Sequence, residues 1–291
     1  MELSKDKQIT LNNIVNDLQK VKGVIAVALG GSYAVGAAKE SSDLDIGIYY
    51  SKGNPFSISD IRTIVNKYSA TGNPTITGFY EWGPWVNGGA WIQTSSGKVD
   101  FIYRNLEQVA ATIEKAKKGE WESHFEQQPP YGFSSIIYLA EIRTCISLYD
   151  PNTHISNLKK AVQVYPAKLK EAVIQQSLWS AEFTIWHAEY FFTKDDDIYN
   201  TAGCLTRAVK SIVTALFAIN EIYPLGDKRA IAILEKAPKC PGNLKEKIDN
   251  ILVLNKKAIN ENIELIKTLY KETIELTKGN YKSFPYNLKK E

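Results

Sequence analysis

Cysteine and histidine are scarce in this chain, three of each among 291 residues. Cys145, Cys204 and Cys240 are odd in number and widely spaced, which suggests neither a disulfide framework nor a zinc site. His124, His154 and His187 are equally scattered. The first ten residues, MELSKDKQIT, lack the apolar centre that a signal peptide requires. No run approaches the eighteen or more apolar residues expected of a membrane span. A cytoplasmic location without a membrane partner is the expectation. An excess of one charge is missing as well: the net charge is only +3, and neither half is strongly basic. A surface built for a polyanion would show a marked excess or a basic stripe, so nucleic acid is not the expected partner.

What is present is an ordinary globular composition, 44% hydrophobic and 23% charged, in a chain long enough for one large or two medium domains. Over roughly the first 120 residues, helix and strand patterns alternate. Helices are predicted at 5–22, 57–68 and 106–118, with strands at 24–29, 75–80, 90–94 and 99–103. Residues 121–131 contain the pair Pro129-Pro130 and show little periodicity, so they read as a linker. Beyond them the pattern is helical, at 133–148, 155–164, 167–192, 198–222, 227–236 and 244–277, with Pro151, Pro166, Pro224 and Pro241 at the breaks. The expected architecture is an α+β domain over 1–120, a linker over 121–131 and an all-α helical bundle over 132–291.

The most informative stretch is LGGSYAVGAAKESSDLDIGIYY, residues 29–50. An apolar, β-branched run ends at Gly30-Gly31, a short helix is predicted near 33–38, and a second strand carries Asp43 and Asp45. Residues two apart on a strand share a face, so the two carboxylates can converge. Converging carboxylates are hard oxygen ligands suited to Mg²⁺. A small-residue turn with accessible N–H groups and the Ser32 hydroxyl suits a phosphate. Asp100, on the strand at 99–103, completes a set of three acids if that strand lies beside the first.

A Gly-Ser turn, about ten residues, Asp-x-Asp and a third acid on a separate strand together resemble the pattern of the DNA polymerase β-like nucleotidyltransferase superfamily. Gly31, Ser32, Asp43, Asp45 and Asp100 carry the resemblance. It extends over about the first hundred residues and is most similar to bacterial two-domain members of the aminoglycoside and lincosamide nucleotidyltransferase type. The resemblance implies a mixed central sheet with flanking helices, and a helical companion domain. It implies two Mg²⁺ ions, with Mn²⁺ as a substitute, held by Asp43, Asp45 and Asp100. It also implies that Asp100 draws a proton from an acceptor hydroxyl, and that Gly30, Gly31 and Ser32 hold the phosphates of ATP or another NTP. The expected reaction moves a nucleoside monophosphate, AMP in the first instance, to a small-molecule acceptor such as an antibiotic and releases pyrophosphate.

Three further features bear on this expectation. Glu81, Trp82 and Trp85, within YEWGPWVNGGAW, either line the acceptor pocket or cover a sheet edge. Trp179, Phe183, Trp186 and Tyr190 fall on one helical face, which reads as core. On the helix at 198–222, Arg207 and Lys210 lie opposite the apolar face and Lys228 follows it. Relatives commonly supply triphosphate-binding cations from the helical half, and these three are the candidates, although none matches a family motif. A homodimer is compatible with the resemblance. Nucleotidylation of a protein or RNA, nucleotide sensing without turnover, and a two-metal phosphodiesterase remain as alternatives.

Overall fold

In the computed structural model, residues 3–193 and 195–283 are described. The chain groups into two compact units. One contains the chain up to Lys115 together with Glu122–Val164; the other contains Ala116–Trp121 and the chain from Tyr165 onward. Most of the expected linker, and residues 132–164, therefore fall with the N-terminal unit.

The N-terminal unit is built on a six-stranded mixed sheet. Helix α1 (Lys5–Leu18) starts at Ser4, whose hydroxyl accepts from the Lys7 N–H, and buries Leu11, Ile14, Val15 and Leu18 at helical spacing. Strand β1 (Ala26–Leu29), the short helix α2 (Gly31–Ala34) and strand β2 (Leu44–Tyr50) follow. Helix α3 (Ile58–Tyr68) is capped by Ser57 and buries Ile61, Ile64 and Val65. Strands β3 (Thr75–Ile76), β4 (Gly89–Thr94) and β5 (Gly97–Asn105) lead into α4 (Leu106–Lys117). The ribbon β6 (Ser123–His124) and β7 (Phe133–Ser134), then α5 (Ile136–Thr144), β8 (Ile146–Tyr149) and α6 (His154–Ala161), complete the unit.

The sheet order is β3-β4-β5-β2-β1-β8, and β2 and β5 run parallel while the other neighbours are antiparallel. Strand alternation sorts the residues to two faces. Leu44, Ile46, Ile48, Val99, Phe101, Tyr103, Ala90 and Ile92 belong to one core with the apolar faces of α1 and α3. Asp45, Gly47, Asp100, Gly89 and Trp91 belong to the opposite face.

Three expected elements differ. The helix predicted over 133–148 is shorter and gives way to β8, because β1 is buried along its whole length and takes a strand on each edge. The strand predicted over 75–80 stops at Ile76; Gly88 approaches the Gly78 carbonyl so closely that a Cβ there would sit 2.2 Å from it. The linker region is tied to the loop between β3 and β4: the Gln127 side chain accepts from the Trp85 and Val86 N–H groups and donates to the Trp82 carbonyl.

On the site face, α5 is fastened through Arg104 of β5. Its guanidinium forms two bonds to Glu141, of 2.8 and 2.7 Å, and a third to the Val86 carbonyl at 3.0 Å. Burial opposes the Arg104 charge, but the Glu141 carboxylate outweighs it and holds the pKa above the ordinary value. Glu141→Gln keeps the shape and leaves that buried charge uncompensated. A loss of about 3 kcal/mol in urea unfolding is expected; a loss under about 1 kcal/mol would mean that Glu141 is not the compensating group.

The second unit is helical: α7 (Ala167–His187), continued by a π turn over Ala188–Phe192, then α8 (Ile198–Ile219), α9 (Ala230–Leu234), α10 (Leu244–Leu252) and α11 (Ile259–Leu276). The single helix predicted over 244–277 is two helices. Asn262, 2% exposed, places its amide nitrogen within 3.1 Å of the carbonyls of Asn250, Ile251 and Val253 and so terminates α10. Helix α8 is long and apolar enough to span a membrane by length and composition, contrary to the sequence expectation, and 56% of that window is buried inside the protein.

The aromatic stripe on α7 is not core. The buried face is aliphatic and small, including Leu169, Val173, Ile174, Leu178 and Ala181. Trp179, Phe183 and Trp186 are half-buried on a flank and Tyr190 is exposed. Their rings stack along the helix at 5.6, 5.7 and 5.8 Å, each shielding the next.

Candidate active site

The site begins where β1 ends. The Gly30 N–H donates to the Asp45 carbonyl at 2.8 Å, which fixes the turn to the start of β2. Gly31 adopts φ +58°, and a Cβ there would lie 1.7 Å from Oδ2 of Asp45. Only glycine combines that backbone with that contact. The Asp45 carboxylate therefore lies against the turn, with Gly31 exposed and Gly30 and Ser32 half-buried. The helix expected near 33–38 begins earlier, at Gly31, and ends before Gly36, whose φ of +67° stops it.

Asp43 precedes β2 and Asp45 is its second residue; both are half-buried, and Asp45 is flanked by the buried Leu44 and Ile46. In the parallel ladder Asp45 is the register partner of Asp100, so the two carboxylates share a rung at a strand spacing of about 4.8 Å. The strand of the third acid thus lies beside the strand of Asp45, the condition the sequence left open. Among the described residues, no three His, Cys, Asp or Glu side chains stand as a ready-made metal cluster. The donors nonetheless fit a divalent cation. They are all carboxylates, two on one rung and one two residues away, with the space over Gly31 kept open for Asp45.

Sequence reasoning missed one neighbour of this set. Trp91 of β4 is the register partner of Asp100 on its other side, and it is 54% exposed. Trp82 stacks on it at 5.0 Å and 23°. Trp82 also lies over Gly89, where a Cβ would meet its ring at 2.8 Å. A signal existed: in GAWIQT alternate residues are buried, and tryptophan occupies an outward position.

The other candidates separate. Trp85 is 8% exposed and packs against Phe133, Tyr138 and His124, so its ring is core and leaves the acceptor set. Glu81 is exposed near Gly78. Arg207, Lys210 and Lys228 belong to the second unit. There Lys210 pairs with Asp227 at 3.0 Å and Arg207 contacts the Ser180 hydroxyl at 3.4 Å.

A family model described as "Nucleotidyltransferase domain" matches residues 10–123, which spans β1 through β5 and every acid of this set. Residues 10–123 are thus similar to a nucleotidyltransferase domain. No curated protein matches the sequence. Two solved structures are similar in outline. One is a nucleotidyltransferase-like protein from Exiguobacterium sibiricum, at 7% identity and a TM-score of 0.46, over 94% of this chain and 77% of that one. The other is spectinomycin adenyltransferase AAD(9) from Enterococcus faecialis, solved with ATP and spectinomycin. It is 14% identical with a TM-score of 0.33, over 93% of this chain and 100% of its own. Within the matched residues, the Gly30–Ser32 turn, Asp45 and Asp100 all lie at one end of the paired strands β2 and β5.

Proposed function

We propose that the chain is an active nucleotidyltransferase that moves AMP from ATP to a hydroxyl of a small-molecule acceptor. The observation that carries this reading is the pairing of Asp45 with Asp100 across β2 and β5, with the Asp45 carboxylate against the glycine turn. That arrangement supports a reading in which the acids stand beside the backbone that receives the phosphates.

In this reading Asp43, Asp45 and Asp100 hold Mg²⁺, with Mn²⁺ as a substitute. Such ions, when bound, neutralise charge on the triphosphate and lower the pKa of the attacking hydroxyl. The N–H groups of Gly31 and Ser32 and the Ser32 hydroxyl orient the phosphates, while the Gly30 N–H is taken by the Asp45 carbonyl and holds the turn in place. Asp100 accepts the proton of the acceptor hydroxyl. The oxygen then forms a bond to the α-phosphorus while the bond to the bridging oxygen breaks and pyrophosphate leaves. Arg207, Lys210 and Lys228 are the proposed cations for the triphosphate; a phosphate reaching Lys210 must compete with Asp227.

Trp91 and Trp82 form an aromatic shelf one strand from Asp100, and they replace Trp85 in the acceptor role. A ring with an apolar or cationic face would rest there with a hydroxyl directed at Asp100. Trp91→Ala should raise the acceptor KM several-fold to about tenfold, with kcat less affected, since a ring contact contributes roughly 0.5–1.5 kcal/mol. An unchanged KM would remove Trp91 from the acceptor site.

The deciding experiment is Mg²⁺-dependent pyrophosphate release from each of the four NTPs with pooled small-molecule hydroxyl acceptors. Release that depends on a pool supports the reading and gives the acceptor class. ATP binding without release under every pool would favour a sensor.

A further inference from the structure

Lys7, on the first turn of α1, is 8% exposed, and its ammonium has no carboxylate partner among the described residues. Its three N–H bonds have three acceptors: the Tyr33 hydroxyl at 3.0 Å, the Glu40 carbonyl at 2.8 Å and the Ser42 carbonyl at 2.7 Å. A buried cation among neutral oxygens is costly, and an apolar side chain would pack there at less cost.

The acceptors show what the cation does. Tyr33 follows Ser32 in α2, and Ser42 is one peptide before Asp43. The Lys7 stem also passes Gly97, the first residue of β5, where a Cβ would lie 3.4 Å from its Cε. One side chain therefore bonds the residue after the glycine–serine turn and the approach to Asp43, and passes the start of the strand that carries Asp100.

Of the three acids, Asp45 and Asp100 are set by the sheet register, but Asp43 lies outside the ladder. The loop before it is closed on itself by bonds between Lys39 and Ser42, of 2.8 and 2.9 Å, and by Ala37 N–H to the Ser32 carbonyl at 2.9 Å. Ala38 packs against the core, but these contacts lie upstream of the loop's end next to Asp43. Lys7 supplies the attachment at that end.

We propose that Lys7 is a positioning residue for the nucleotidyl-transfer site: its ammonium clamps Tyr33, Glu40 and Ser42 together and so sets Asp43 for metal capture. This rests on the function proposed above. Lys7→Met keeps the apolar stem and removes the three bonds, and Tyr33→Phe removes one while keeping the ring. Mn²⁺ binding without nucleotide, read by electron paramagnetic resonance, should weaken on the order of 10- to 100-fold in Lys7→Met, the scale of losing an outer-shell partner. Tyr33→Phe should shift it in the same direction by less. Amide exchange should accelerate at residues 37–43 and stay unchanged at 99–103.

Wild-type Mn²⁺ affinity and exchange in both variants would overturn the role of Lys7 and leave the nucleotidyltransferase reading intact. Absence of Mn²⁺ binding by the wild type would overturn that reading, and the Lys7 role with it. If Lys7→Met does not fold, Tyr33→Phe decides by the same two readouts.

Discussion

Asp45→Asn is expected to lower kcat for pyrophosphate release by about 10³-fold or more while leaving the protein folded. The carboxylate is assigned a share of metal-derived charge stabilisation worth several kcal/mol, and about 4 kcal/mol corresponds to a thousandfold. The backbone at this position is independent of the side chain, because the Asp45 carbonyl, not its carboxylate, accepts from Gly30. The turn and the β2–β5 register should therefore survive. Without metal, two carboxylates on one rung repel, so the thermal midpoint should hold or rise slightly. Turnover and thermal unfolding measured together check both halves. Normal turnover in Asp45→Asn would end the assignment.

Gly31→Ala should be nearly as damaging for a different reason. Two penalties coincide: a left-handed backbone costing roughly 1–2 kcal/mol for a residue with Cβ, and a methyl only 1.7 Å from Oδ2 of Asp45. The carboxylate must rotate or the turn must shift, and misplacement of about 1 Å in a site of this kind costs on the order of 10²-fold in rate. Combining the variant with Asp45→Ala separates the terms. The backbone cost should persist and the steric cost should vanish, so the double variant should lose less stability than the two single losses added. Strict additivity would show that the carboxylate does not rest on Gly31.

The aromatic residues show how far sequence patterns reach. Trp179, Phe183, Trp186 and Tyr190 share a helical face as their spacing requires, yet that face is a flank whose rings cover one another. Spacing fixes which side chains lie together on a helix; it does not say which side meets the rest of the protein. Trp82 and Trp85 looked equivalent in sequence. Gln127, some forty residues away, ties down the backbone of that loop, and Phe133 and Tyr138 bury the Trp85 ring, while Trp82 lies over Gly89 beside Trp91.

Sequence alone determined the glycine–serine turn, the two-residue spacing of Asp43 and Asp45, the alternating strands around Asp45 and Asp100, and the helical second half. Each of these follows from interactions among near neighbours: period two against period 3.6, a glycine where φ must be positive, proline at a break. The tertiary structure alone decided that Asp100 pairs with Asp45 rather than a neighbouring position, and that Trp91 flanks it. It also decided that β8 closes the edge of β1 and that Lys7 reaches the loop before Asp43. Apart from the Trp91–Asp100 hairpin pair, these contacts join residues 35 to about 120 positions apart. They are selected by which faces bury one another, a competition that no local pattern records.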